Sequence, residues 1–542
     1  MSFVSLSFLM FLGATIFLYF VVPKKIRFIV LIIANTVFYW LGCKFNIFYL
    51  IGSILSVYVG GLIISKIKDK TKLYNSNIKN IKKENESIKD SNEKSDIQQL
   101  KNNENKIREL NKKIKKKNIL KKFIFILIII LNIAMLSILK EHSYLIGHIN
   151  KYFHTNMVVP KIVVPMAISY YVLIALGYLI DVYLGKIKAT KNFLKMYLTM
   201  TFFPLMVEGP IIKYQEIADQ LWEGQKFNFN NFKYGYLRIV WGYFKKLVIA
   251  DRVAIYVNTI FTGTHTGFTV FIGMMLYVLQ IYSEFSGCMD IVIGIGQIFG
   301  IKLPENFKQP FLSKNVSEFW RRWHITLGRW LKDYIYFPAV MSKLNMKITG
   351  KAHKKLPKFL ADVISNFIPL FLVWLSMGIW HAYGKKYIIY GMYWFTLIIL
   401  GMLFKPVFDW IIKKLKMKTD CFSWRLFQEL RTFLLVTIGL TIFRAPSLHY
   451  ALQMMKNIFV TGTDEVGKLA GGYPNVNLIL VCILVLIVVD LFKDKVKDIP
   501  AWMEKQNVIF RYFVFVVALM SVLVFGMYGY GYDPASFIYQ GF

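Results

Sequence analysis

Apolar runs of about 18 or more residues recur along this chain, divided by short basic stretches, and one such run crosses a bilayer core of about 30 Å as a helix. Lipid offers no partner to backbone N–H and C=O groups, so a spanning segment must pair them internally. The runs are too long and too evenly apolar for barrel strands. The pattern predicts an all-α, polytopic integral membrane protein. Candidate spans cover residues 3–22, 28–41, 47–65, 123–139, 162–183, 241–261, 268–285, 362–380, 387–404, 424–443, 478–492 and 508–528. Allowing for broken ones, about 11–13 transmembrane helices are expected. The first run lacks a basic leader region and a small-residue cleavage site, so it reads as a span rather than a removed signal.

The formal net charge of +36 would suggest nucleic acid in a soluble chain. Here the Lys and Arg sit between the apolar runs, where they set topology and meet anionic headgroups of membrane lipids. Nucleic-acid binding is therefore not expected. Lys24, Lys25 and Arg27 follow the first run, which predicts an outer N-terminus and a cytoplasmic first loop. Cys43, Cys288, Cys421 and Cys482 are dispersed and imply neither a disulfide framework nor a zinc site.

Residues 66–122 interrupt the apolar pattern with 19 Lys/Arg against 8 Asp/Glu. Leu100, Ile107 and Ile114 repeat every seven residues, with Leu110 between them, which predicts an amphipathic helix or a short helical hairpin. Such a charge run reads as a solvated cytoplasmic insertion before it reads as a partner-binding arm. Residues 140–161 are expected to form an external loop. His142, His148 and His154 within it are six apart, a spacing unsuited to metal ligation.

Residues 199–205 are apolar but too short to cross, and they run into Val207-Glu208-Gly209-Pro210. This resembles a re-entrant piece, tolerated where protein or a wet cavity covers it. Glu208 could be a functional acid there, cap a helix, or pair with a lysine such as Lys213. The run at 241–261 carries Lys245, Lys246, Asp251 and Arg252, so it is expected to face protein or a cavity. Gly287, Gly294, Gly296 and Gly300 allow close backbone packing.

Residues 317–338 read SEFWRRWHITLGRWLKDYIYFP, and residues 376–382 read SMGIWHA. On one helix Trp320, Trp323, Leu327, Trp330 and Tyr334 would form an aromatic stripe, with Glu318–Arg322 and Arg329–Asp333 spaced for pairing. An interfacial anchor or packed filler would show the same stripe. His324 and His381 each follow a tryptophan, and His381 ends a nearly uncharged run where an ionisable group is costly. A neutral buried imidazole can take a proton from a hydroxyl attacking an acyl donor. Arg321, Arg322 and the indole N–H groups of Trp320, Trp323 and Trp380 could grip a phosphate or a developing oxyanion. The chain has no GxSxG elbow, no Cys beside a His and no HExxH site. These residues alone leave structural or transport histidines open beside catalysis.

At these positions the sequence resembles the membrane-bound O-acyltransferase family, and most of all its bacterial alginate O-acetylation branch; the teichoic-acid D-alanyl transfer protein is a relative. Residues 165–185 (PMAISYYVLIALGYLIDVYLG), 207–211 (VEGPI), 282–300 (YSEFSGCMDIVIGIGQIFG), 304–338 (with ENFKQPF and EFWRRWHITLGRWLKDYIYFP) and 377–382 (MGIWHA) carry the resemblance, joined by Phe443-Arg444-Ala445 and Phe537-Ile538-Tyr539. It implies helices and re-entrant or interfacial segments around a central tunnel in the bacterial cytoplasmic membrane. His381 matches the principal catalytic histidine and His324 the second. The implied domains are N-terminal spans at 1–65, the insert at 66–122, a catalytic core at 123–445 and C-terminal spans at 446–542. No bound cofactor or metal is expected. An acyl thioester, acetyl-CoA or an acyl carrier protein, would be the donor, and an SGNH-type extracytoplasmic acetyltransferase the partner. A glycan or lipid exporter without acyl chemistry is the alternative of another class. The chain departs from the branch after His381, where it reads AYGKK, and in the added insert.

Overall fold

A computed structural model describes residues 2–88, 94–461 and 476–529, and all regular structure among them is helical. Phe537-Ile538-Tyr539 lies outside the described residues. Eight helical stretches are long and apolar enough to cross a membrane, one of them, 24–88, holding two consecutive helices; Leu6–Val21 and Ile168–Leu184 are shorter apolar helices. The run at 241–261 is not a simple span. It belongs to a broken helix of Phe229–Tyr243, a π-turn at Phe244–Ala250 and Asp251–Thr262.

The basic insert folds as a hairpin whose arms prolong two membrane helices, Ile47–Ile88 and Lys94–Phe153. At 1.5 Å per residue, these whole helices of 42 and 60 residues, membrane parts included, run about 63 and 90 Å. Within the apolar part Ser53 donates to Asn132 Oδ1 at 2.6 Å, and Asn132 donates to Ser56 at 2.9 Å. Such polar contacts hold helices together where lipid leaves no hydrophobic drive for pairing. Towards the tip Gln99 reaches Glu84 and Asn103 reaches Asn85. The helix runs on to Phe153 with a kink at Glu141, so the loop expected at 140–161 is half helix. Lys140, polar in sequence, is drawn inward there by bare carbonyls described below.

The centre is the broken helix packed on Phe268–Ile298. Gly242 and Gly287 let the backbones touch: a Cβ at either would lie 2.6 or 2.9 Å from the other's carbonyl oxygen. The charges of the broken helix turn into protein, as expected. Lys245 pairs with Asp290 at 2.6 Å, and Lys246 with Glu284 at 2.7 Å and Asp251 at 2.9 Å. Mutual pairing offsets the cost of burying these groups.

Two expectations for 317–338 fail together. The stretch is not one helix. Val316–Arg322 ends, His324 takes a left-handed conformation at φ 48°, and Ile325–Leu331 restarts before a π-turn at Lys332–Tyr336. The aromatic stripe is thereby split. Glu318 and Arg322 do pair, at 2.9 Å. Arg329 instead binds Glu216 at 2.5 Å, and Asp333 takes Lys213 at 2.5 Å. Helix Tyr214–Glu223 and its N-cap Lys213 supply these nearer partners across the fold.

Candidate active site

Helix Lys358–His381 carries His381 inward on its last turn. Pro369 lies within it and has no N–H for the Ser365 carbonyl. Asn345 Nδ2 supplies that bond at 3.2 Å. Gly378 explains the small residue in SMGIWH: a Cβ there would meet the Tyr387 carbonyl oxygen of the next helix at 2.4 Å. A helix end leaves its last carbonyls unpaired. Here Lys140 Nζ donates to Trp380 O at 2.9 Å and His381 O at 2.6 Å. A cation at this end also suits the helix dipole. Lys386 caps another helix end, donating to Phe443 O at 3.1 Å and Ala445 O at 2.8 Å. His381 is accordingly enclosed, only 4% exposed, with Phe443 at 5.0 Å and Tyr390 at 6.0 Å between ring centroids.

His324 comes from the break in the other motif and is 3% exposed. Its ring stands edge-on to Phe285 at 4.9 Å. The Trp380 indole is near both histidines, 6.1 Å from His324 and 4.9 Å from His381 between ring centroids. Tyr170 packs on the same indole at 5.9 Å, and the indole N–H reaches Ser169 O at 3.4 Å.

Asn306 fixes His324. Ile325 N–H donates to the Asn306 carbonyl at 3.0 Å, and Thr326 N–H donates to Asn306 Oδ1 at 3.0 Å. A backbone N–H only donates, so this side-chain atom of Asn306 is the oxygen. Thr326 Oγ1 accepts from Ile211 N–H at 3.0 Å and gives its own hydrogen to Oδ1 at 2.9 Å. His324 Nδ1 also lies 3.3 Å from Oδ1, a bond only if Nδ1 carries hydrogen. In the neutral ring Nε2 then bears the lone pair, and that buried atom has no hydrogen-bond partner among the described residues. The geometry thus holds a neutral imidazole with its basic nitrogen open, next to a second buried imidazole.

The sequence-predicted residues divide. His324, His381 and Trp380 come together. Glu208 is fully buried and hydrogen-bonded to the Cys288 thiol, near Tyr170. Trp320 packs on Trp374 and Trp394 at 4.9 and 5.0 Å, and Trp323 sits among Phe307, Phe319 and Tyr282. These two indoles build the wall behind the site. Arg321 is exposed, and Arg322 is held by Glu318 and Asp494. Sequence reasoning missed Lys140 and Asn306. Lys140 ends an apolar run, and Asn306 stands in the ENFKQPF piece, but neither position reveals its partner. Among the described residues no group of three His, Cys, Asp or Glu is arranged to hold a metal ion.

Residues 189–439 match the description of MBOAT, the membrane-bound O-acyltransferase family. A probable alginate O-acetylase AlgI of Pseudomonas syringae pv. tomato is 32% identical over 348 residues, 63% of this chain and 61% of that protein. A peptidoglycan O-acetyltransferase of Helicobacter pylori is 30% identical over 369 residues, 63% of this chain and 65% of that protein. A teichoic acid D-alanyltransferase of Bacillus subtilis is 32% identical over 200 residues, 35% of this chain and 47% of that protein. The chain spans about three fifths of the length of the alginate O-acetylases it matches. Residues 189–439, which hold Glu208, His324, Trp380 and His381, are the part of the chain that matches the membrane-bound O-acyltransferase family.

Proposed function

We propose that this protein is an O-acyltransferase that moves an acyl group, most plausibly acetyl, from a cytoplasmic thioester such as acetyl-CoA towards hydroxyl groups of a cell-envelope or secreted polysaccharide. The observation that carries this reading is the pair of buried histidines packed near Trp380, with the open Nε2 of His324 beside His381. As the acceptor hydroxyl attacks the thioester carbonyl, His381 takes its proton; the C–S bond breaks, and the imidazolium returns a proton to the leaving thiolate. His324 orients the reacting groups from beside the indole. Arg321, at the surface, meets the donor's phosphates. A separate extracytoplasmic transferase of the SGNH type completes delivery to the glycan. The relatives named as alginate O-acetylase and peptidoglycan O-acetyltransferase support the acetyl group.

The relatives named as teichoic acid D-alanyltransferase favour a second reading, alanyl transfer from a carrier protein. Mass spectrometry of envelope glycans from cells with and without this protein decides between them. An acetyl increment lost on deletion supports the first reading and an alanyl increment the second. Unchanged acylation with altered glycan export supports neither and overturns both.

A further inference from the structure

The last two described helices, Val476–Lys495 and Val508–Phe525, are tied to the rest of the protein at separate points and stand away from it between them. Tyr282 donates to Asp490 at 2.7 Å, and Arg322 pairs with Asp494 at 3.2 Å. Arg252 donates to Phe525 O at 2.6 Å, and Met527 N–H to Leu247 O at 3.0 Å. Between these ties lies a cavity of about 1300 Å³, lined from Phe510 to Phe525 along one helix. That stretch of helix is about 22 Å long, more than half a bilayer core of about 30 Å. The volume exceeds the ~300–1,000 Å³ usual for a small-molecule pocket.

Its two ends differ in chemistry. Val485, Val489, Val514 and Val517 give an apolar wall along its length. The end by Trp502 and Ile499 is basic. Arg238 there is held by Asp290 and Glu305, and Arg322 by Glu318 and Asp494, so those carboxylates are engaged. Lys308, Lys493 and Lys497 also line the cavity and take part in none of the ion pairs found among the described residues, while the lining carboxylates Asp490 and Asp498 accept from the Tyr282 hydroxyl and the Ala501 N–H. Lys493 lies 5.7 Å from the Trp241 ring centroid.

We propose that this cavity is a binding site for one anionic phospholipid, its phosphate among Lys308, Lys493 and Lys497 and its acyl chains along the valine wall. The cavity reaches Asn306, the residue that holds His324, but the lipid proposal does not rest on the acyltransfer reading. A long apolar slot with surplus cations at one end matches an amphiphile with a charged head. A bilayer supplies such molecules at that depth. The lipid fills the space that would otherwise leave the two helices unsupported, and it couples their position to the charge of the leaflet.

Native mass spectrometry of the full chain, purified in mild detergent, delipidated and titrated with phosphatidylglycerol, tests this. The wild-type protein is expected to retain one phosphatidylglycerol in preference to phosphatidylcholine. Each lysine near a lipid phosphate contributes about fivefold, so Lys308→Gln, Lys493→Gln and Lys497→Gln together weaken retention about 100-fold. Val517→Trp blocks the slot without altering charge and is expected to abolish retention; Val485→Phe, on the facing helix, replaces it if its melting transition is lost. Retention unchanged in the triple variant or in the blocked slot overturns the proposal. So does displacement of the lipid by inorganic phosphate or acetyl-CoA, which would mark a soluble-anion site.

Discussion

Lys140 donates a 2.6 Å hydrogen bond to the main-chain carbonyl of His381, tying the long helix of the basic hairpin to the end of the helix that carries the histidine. The same ammonium takes the Trp380 carbonyl at 2.9 Å. A charge-assisted bond of this kind contributes about 1.5–3 kcal/mol, enough to set the orientation of a terminal side chain. Lys140→Met keeps the apolar stem and removes the donor. We expect acyl transfer to fall about 10- to 100-fold, as for loss of that bond, with the rate constant affected more than donor affinity. Lys140→Arg recovers part of it. Steady-state kinetics on the purified variants checks both.

The Asn306–His324 contact predicts a pH effect. Asn306→Asp keeps an acceptor for Thr326 and His324 but sets a carboxylate near Nδ1, which favours imidazolium. A protonated ring has no lone pair at Nε2, so activity is lost at higher pH than in the wild-type protein. The acid limb of the kcat/KM profile is expected to move up, with the basic limb unchanged. Asn306→Gln, with its longer arm, lowers activity without moving the limb.

Gly378 sets how closely helix Lys358–His381 meets Lys385–Leu403. Gly378→Ala places a methyl 2.4 Å from the Tyr387 carbonyl oxygen, which backbone cannot easily vacate. Overpacking of this kind costs about 1–3 kcal/mol. A lower melting temperature in detergent, with lower activity below it, is the expected result.

Cys421 offers a topology test. Its thiol is held below the ordinary range, first by the Ser423 hydroxyl and then by the Trp424 backbone N–H, and it lies just before helix Phe422–Arg444. A lowered value means thiolate persists to lower pH, so alkylation of Cys421 continues below the pH at which an ordinary thiol stops reacting. Cys288 and Cys482 are buried and react only on unfolding. An impermeant maleimide is expected to label Cys421 in inverted vesicles and not in intact cells, as the basic residues nearby require of a cytoplasmic site.

The spans were legible because length and apolarity suffice to identify them, and the hairpin because Leu100, Ile107 and Ile114 repeat. The division of its charge is also plain in the sequence: residues 66–72 and 112–122 hold eleven lysines against Asp69 alone, next to the membrane where headgroups lie. His324, His381 and Trp380 were legible as costly or aromatic residues in short motifs. The helix break at His324 was not. Periodicity reads through it, and its cause, the Asn306 side chain and main chain, lies 18 residues upstream. Nor was Lys140, whose partners are carbonyls some 240 positions away. Arg329 and Asp333 show the same limit, since helical spacing proposed them as partners and tertiary packing supplied Glu216 and Lys213 instead.

The account stands most directly on His381. Protein reconstituted in vesicles with a radiolabelled acyl thioester on the basic side, and a hydroxyl acceptor on the other, gives the rate of transfer. His381→Ala is predicted to lower that rate about 10²- to 10⁴-fold, as expected for loss of a general base, while donor binding and the melting temperature stay near wild type. Transfer at close to the wild-type rate in that folded variant would contradict the account.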